Sequence, residues 1–341
     1  MALSVPANVP APNRASLLLG RLARSREATL AGVVIVLGML VWLEAPNFLS
    51  STNVISVTAL AAIIAIAAVG EALVIITKNI DLSVESTMGL VAFVVAMMLK
   101  GQNLPVPTAW ALGIGLGLGL GMVNGVVITI LRVPSIVATL GTLGIYRGLA
   151  YIVANGKEIT TSDLPSGYTN PASQTFLGVP LFVILAIAIV IVAGLVLRYT
   201  VVGRQAYAVG SNAEAAATIG VRAKSTVFLV FALSGMLAGV AGVLWGIEFG
   251  QLYASSASGE SLAVIAAVVV GGVSISGGSG TVVGAAIGAL FLGLIQNAIV
   301  VLSLPQEWLQ VIYGLVILLA VAMDALVQMR AQRAKARSRM R

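Results

Sequence analysis

Neither cysteine nor histidine occurs anywhere in the chain. Without them there is no disulfide, no thiolate chemistry, no zinc site on those ligands and no Ser/His or Cys/His nucleophile, which excludes most enzyme classes. Charge is almost as scarce: Asp, Glu, Lys and Arg make up 9% of the residues, against about 25% in a soluble domain. No Gly-Lys-Ser/Thr phosphate loop is present, so the chain cannot bind ATP in the Walker manner and any ATP-derived energy must come from another polypeptide. The glycine-rich stretch "GGVSISGGSG" at 271–280 lacks the lysine, and a tight interhelical turn is its expected job.

What the chain has instead is apolar surface. It is 59% hydrophobic with a mean hydropathy of +1.06, more than a water-soluble core can absorb. Apolar runs separated by short polar breaks match the ~20 residues a helix needs to cross ~30 Å of hydrocarbon. Ten candidate spans follow, at about 28–43, 53–77, 84–99, 108–131, 134–154, 179–197, 226–248, 261–273, 281–302 and 309–325. The expected fold class is an all-α polytopic membrane protein. Span 261–273 is short for a full crossing and is expected to be a half-span or a helix shielded by protein. With both termini in the cytosol, all 19 Lys and Arg except Lys100, Arg147 and Lys157 lie on the inner side or in the tail, as the positive-inside rule requires. The +7 formal charge therefore reports topology, and no nucleic-acid partner is expected.

The stretch "ITKNIDLSVES" at 76–86 concentrates charge between two apolar runs. A solvated turn explains it: Lys78, Asp81 and Glu85 reach water cheaply, Asp81 or Ser83 caps the next helix, and Glu85 faces that helix's positive end. Gly113, Gly117, Gly121 and Gly125 share one face of the fourth span, and Gly280, Gly284 and Gly288 repeat the spacing later. Such faces let helix backbones approach closely in lipid, here expected within the chain. Setting Gly121 against Gly293 aligns "LGMVNGVVI" with "LGLIQNAIV", so Asn124 corresponds to Gln296. The two spans run in opposite directions, which predicts an inverted 5+5 repeat with Asn124, Gln296 and Asn297 as interior polar groups along a candidate pathway.

The longest inner loop, 198–225, holds an alanine-rich centre from Asn212 to Ile219, with Ser211 or Asn212 as cap and Gly220 as stop. A short exposed helix with little stability of its own invites a docking partner. At this point "LVIITKNIDLSVES", "VPSIVATLGTLGIYRGLAY", "GRQAYAVGSNAEAAATIGV" and "VIAAVVVGGVSISGGSGTVVGAAIGALFLGLIQNAIV" are recognisable. The chain resembles the permease subunits of bacterial ribose-type sugar ABC importers, in particular the rhamnose and autoinducer-2 branch, in order from about residue 30 to 325. It departs from that pattern at Lys78, Asn79 and Glu85, where relatives often have glycine, and at Ser261, where they often have glutamate beside what is here Glu260.

The resemblance implies a coupling helix seated in a groove of an ATPase, to which Asn212, Glu214, Ala215, Ala216 and Gly220 contribute. It implies Asp81 and Ser83 as the family-motif turn, a second permease copy or paralogue, and a periplasmic sugar-binding protein, all at the bacterial inner membrane. Segments 155–178 and 249–260, with Lys157, Glu158, Asp163 and Glu260, are the expected docking surface for that binding protein. The chain then divides into a basic segment 1–27, a permease region 28–325 and a basic tail 326–341, with no catalytic residue, metal or cofactor of its own. The competing expectation is an autonomous ion-coupled secondary transporter, with Glu71 as the intramembrane ionisable group and Arg147 as its only conceivable deep partner.

Overall fold

A computed structural model describes residues 26–102 and 105–339, so most of the basic segment 1–27 lies outside the described residues. The helices in chain order are α1 (Arg26–Glu44), α2 (Ser51–Ile76), α3 (Val84–Gln102), α4 (Val106–Thr129), α5 (Ser135–Ala154), α6 (Leu181–Tyr199), α7 (Val201–Ser211), α8 (Ala213–Thr218), α9 (Ala223–Phe249), α10 (Glu260–Val270), α11 (Val282–Val301) and α12 (Trp308–Arg339). A helix overlaps every predicted apolar stretch. Among the described residues seven are long and apolar enough to cross a bilayer, namely α1, α2, α4, α5, α6, α9 and α11. The chain is therefore a polytopic helical membrane protein.

Two helices form the centre. The apolar window of α2 is 94% buried and that of α9 78%, against 6% for α1 and 17% for α6, whose side chains face outward. Around them α4 packs on α9, α11 on α2, α3 on both α9 and α5, and α10 on both α2 and α12. The glycine face works within the chain. Gly117 abuts the backbone of Gly235 and Gly239, and Gly121 that of Phe231 and Gly235, so close that any Cβ there would strike a carbonyl oxygen. Dispersion between touching backbones supplies the association energy that lipid does not. Gly284 and Gly288 pack likewise on Gly271 and Ala267, whereas Gly280 belongs to the turn before α11, at a left-handed φ of +133°.

The connection between α5 and α6 lies over the end opposite α8. Its few strand residues, Thr175–Phe176 against Val179–Pro180, form a hairpin around Leu177 and Gly178, both at positive φ, a departure from an all-helical fold. Backbone pairing of Ile159 with Leu252, and a hydrogen bond from buried Tyr168 to the Val243 carbonyl at 3.1 Å, fasten this connection to α9 and to the segment that follows it. α10, with 11 residues, spans only about half of a bilayer's hydrocarbon at 1.5 Å per residue, as expected of a half-span.

Candidate functional site

The loop between α6 and α9 carries α8, the helix its alanines predict. Asn212 caps it, Oδ1 accepting from the Ala215 N–H at 3.0 Å, and Gly220 ends it at φ +86°. Asn212, Glu214, Ala215 and Gly220 are exposed, Ala216 is buried against the molecule, and Ile219 is 77% exposed. Sequence reasoning missed α7; its buried Ala206 and Val209, set in a polar stretch, are the amphipathic signal that reveals it.

Three backbone segments meet beneath α8. The Gly278 N–H donates to the Ile76 carbonyl at 2.8 Å, and Tyr207 on α7 donates to the Gly280 carbonyl at 2.8 Å. Gly210, at the end of α7, leaves no room for a side chain: a Cβ would collide with the Ile76 carbonyl and stand 2.6 Å from the Gly278 nitrogen. The glycine-rich turn is thus an interhelical turn, as expected, and it also positions the base of α8. Lys78 rests on it at a left-handed φ of +65°, a conformation glycine adopts without cost. An open cavity of about 620 Å3 lies alongside, lined by Lys78, Arg132, Asn212, Glu214 and Lys224 among others.

The turn between α2 and α3 corrects a sequence expectation. Lys78 is exposed, but Asp81 is 2% and Glu85 9% exposed, because the chain turns back into the molecule after Lys78. The Asp81 N–H donates to Oε1 of buried Glu71 at 3.1 Å, two turns inside α2. Ser83 stands before α3, yet its hydroxyl does not cap that helix. It donates to Asp81 Oδ1 at 2.6 Å and accepts from Asn124 Nδ2 at 2.8 Å, while the Tyr146 hydroxyl donates to the Leu120 carbonyl at 2.9 Å with Asn124 Oδ1 at 3.3 Å as a second acceptor. Asp81, Ser83, Asn124 and Tyr146 thus form a closed buried chain of hydrogen bonds across α3, α4 and α5.

Glu85 is also misjudged by the sequence. Its Oε2 accepts from the Gly259 N–H at 2.9 Å, the Ser261 N–H at 3.2 Å and the Ser261 hydroxyl at 2.8 Å, capping α10 from another helix. Its Oε1 forms an ion pair with Arg147 at 3.5 Å, and Arg147 Nη1 donates to the Ala254 and Ser256 carbonyls at 3.1 and 2.8 Å. Arg147 therefore serves Glu85, not Glu71. Two of the chain's departures from the expected family pattern, Glu85 and Ser261, touch each other.

A second cluster lies on α10, α11 and α12. Gln296 Nε2 donates to Glu260 Oε1 at 3.4 Å, and Tyr313 stands within electrostatic reach of both. The Glu260 side chain thus turns toward Gln296, although the residue stays partly exposed next to the outer segment. Asp163, by contrast, does lie on the outer connection, in an ion pair with Lys100 at 2.9 Å. Asn297 does not join Gln296. It exchanges amide hydrogen bonds with Asn53 at 2.9 and 3.0 Å, fastening α11 to α2. Tyr146 and Tyr313 carried no sequence signal except the internal echo, which stops short of both. Among the described residues no cluster of three or more His, Cys, Asp or Glu that could hold a metal is present.

A multi-pass helical protein with an exposed capped helix on one face and buried polar groups inside is the architecture of a transport permease. The chain belongs to the family described as "Branched-chain amino acid transport system / permease component", which matches residues 53–321. It is 39% identical over 305 residues to the autoinducer 2 import system permease protein LsrC of Enterobacter sp. (strain 638), covering 89% of this chain and 88% of that one. To the LsrC of Salmonella typhi it is 35% identical over 91% of this chain and 88% of that one. To that of Photorhabdus luminescens it is 37% identical over 75% and 77%. No solved structure matches. The chain is a permease subunit of an ABC-type importer, and its role is transport rather than catalysis.

Proposed function

We propose that this chain carries autoinducer 2, or a similarly small sugar-like molecule, inward across the bacterial inner membrane, driven by ATP hydrolysis on a separate subunit. The observation that carries the reading is α8: exposed, capped at Asn212, stopped at Gly220 and seated on a platform too tight for a side chain at Gly210. Asn212, Glu214, Ala215, Ala216 and Gly220 form the coupling surface for the ATPase, and Asp81 and Ser83 fix the turn beside it. Two such permeases, identical or paralogous, flank the path, and a periplasmic binding protein delivers the substrate at the end that carries 155–180. The reading takes ten crossings, both termini in the cytosol, a permease region 28–325, and flanking basic segments 1–27 and 326–341.

The helix pairing supports an inverted 5+5 repeat. Exchanging the halves turns the α2–α11 pair into α9–α4, α3–α9 into α10–α2, and α3–α5 into α10–α12, and all six pairs are in contact. The ion-coupled alternative is not favoured, because the family is one of importer permeases and Arg147 pairs with Glu85 rather than with Glu71, whose Oε1 accepts from the Asp81 N–H while its Oε2 is left unpaired. The test is the double variant Glu214→Ala, Gly220→Val. Membrane insertion is expected to stay normal while ATP-linked uptake and co-purification of a Walker-loop ATPase are lost; uptake at the unaltered rate sinks the coupling assignment.

A further inference from the structure

The second polar cluster is incomplete. Glu260 Oε2, Gln296 Oε1 and the Tyr313 hydroxyl are buried, and among the described residues none has a hydrogen-bond partner within 3.5 Å, although Tyr313 stands close enough to Gln296 to interact with it. Folded proteins leave only a few such atoms without a hydrogen bond; the others among the described residues are Glu71 Oε2, Arg147 Nη2 and Ser234 Oγ. Those of Glu260, Gln296 and Tyr313 belong to side chains already in one another's company, with Gln296 7% and Tyr313 3% exposed. Asp81, Ser83, Asn124 and Tyr146, the matching residues of the first cluster, have no unpaired buried atom, although Glu71 beside Asp81 leaves its Oε2 unpaired. The same parts are thus closed on themselves in one cluster and left open in the other.

We propose that Glu260, Gln296 and Tyr313 form a binding subsite for adjacent hydroxyl groups of the transported molecule. A carboxyl oxygen and an amide oxygen accept from two hydroxyls, and the phenol, able to donate or accept, completes the exchange. A ligand carboxylate fits poorly, since two of the three atoms are acceptors with nothing to donate to it. The site can be reached: Glu260 opens α10 immediately after 250–259, and Gly259 and Glu260 are both partly exposed. The permease would then check the hydroxyl pattern of what the binding protein delivers. This inference rests on the import reading above and adds to it a selecting group within the membrane subunit.

The test uses the permease–ATPase complex in lipid nanodiscs without the binding protein, probed with tritiated autoinducer 2, ribose, rhamnose and leucine, beside uptake by the complete importer in vesicles. At least one polyhydroxy probe is expected to bind saturably and leucine not at all. Tyr313→Phe and Gln296→Met should each weaken that binding up to about tenfold, the size of one hydrogen bond. A deoxy analogue lacking the recognised hydroxyl should bind wild type and Tyr313→Phe equally, which a merely structural tyrosine does not produce. Uptake of a polyhydroxy probe with no saturable binding to the complex, or binding that neither variant changes, overturns the subsite and leaves the import reading standing. Failure of the complete importer to move any polyhydroxy probe overturns the import reading itself, and binding of leucine alone overturns the hydroxyl chemistry.

Discussion

The cluster on α3, α4 and α5 and the cluster on α10, α11 and α12 are assembled from the same parts. Each has a carboxylate where a helix begins, an amide on the next helix and a tyrosine on the one after: Asp81, Asn124 and Tyr146 in the first, Glu260, Gln296 and Tyr313 in the second. They differ in closure. Ser83 links carboxylate to amide in the first, and nothing plays its part in the second, where Ser261 is taken by Glu85. The cluster with the serine in place is expected to be scaffold. The cluster without it keeps three unpaired atoms, which is why it is the one proposed to bind.

The largest effect comes from breaking what joins the two halves. Glu85→Ala removes the cap of α10 and strands Arg147, and loss of one partner of a buried ion pair costs ~3–5 kcal/mol. Thermal unfolding in detergent should show a large drop in midpoint. Glu85→Gln, which keeps an acceptor for Gly259 and Ser261, should recover part of it. Asn124→Leu comes next. It takes a donor from Ser83 and the second acceptor of Tyr146, which keeps the Leu120 carbonyl, so ~1–3 kcal/mol should be lost by the same measurement. An unchanged midpoint there contradicts the view that the closed cluster is scaffold.

Gln296→Leu is the counterpart on the open side, and its expected outcome is opposite in kind. The change removes an orphaned acceptor and one long hydrogen bond to Glu260, so stability should move by less than ~1 kcal/mol in either direction. Uptake should nevertheless fall. If Gln296→Leu unfolds the protein as readily as Asn124→Leu, the two clusters are both structural and the contrast between them fails.

The sequence made the helices, the capped α8 and the glycine contacts legible because each rests on chemistry within a few residues or on one periodic face. Asn212 caps a helix starting one residue later, and Gly220 ends it two residues after its last turn. It hid Glu85 and Arg147 for the converse reason. Glu85 meets Gly259 across 174 residues of chain, and a charged turn between apolar runs reads the same whether it faces water or folds inward. Arg147 gave a usable hint, since a cation within an apolar span requires a partner. Choosing Glu85 over Glu71 as that partner needs the path of 77–83, which no local pattern encodes.

The smallest effect lies outside both clusters and marks where a solvated ion pair stops mattering. Lys100 and the Thr160 N–H hold Asp163 down from its ordinary 3.8 to about 2. A depressed carboxylate stabilises the fold above its unfolded value and loses that contribution as pH falls through the folded one. The stretch around Thr160 and Leu164 should therefore loosen between about pH 4 and pH 2. Because Lys100 is 47% exposed on its side chain, water and salt screen most of the attraction. Asp163→Asn should speed amide exchange in this connection at neutral pH, leave the global midpoint where it is, and make no difference once the wild-type carboxyl is protonated. A variant that instead lowers the midpoint as far as Asn124→Leu does would place the outer connection, rather than the closed cluster, at the centre of the scaffold.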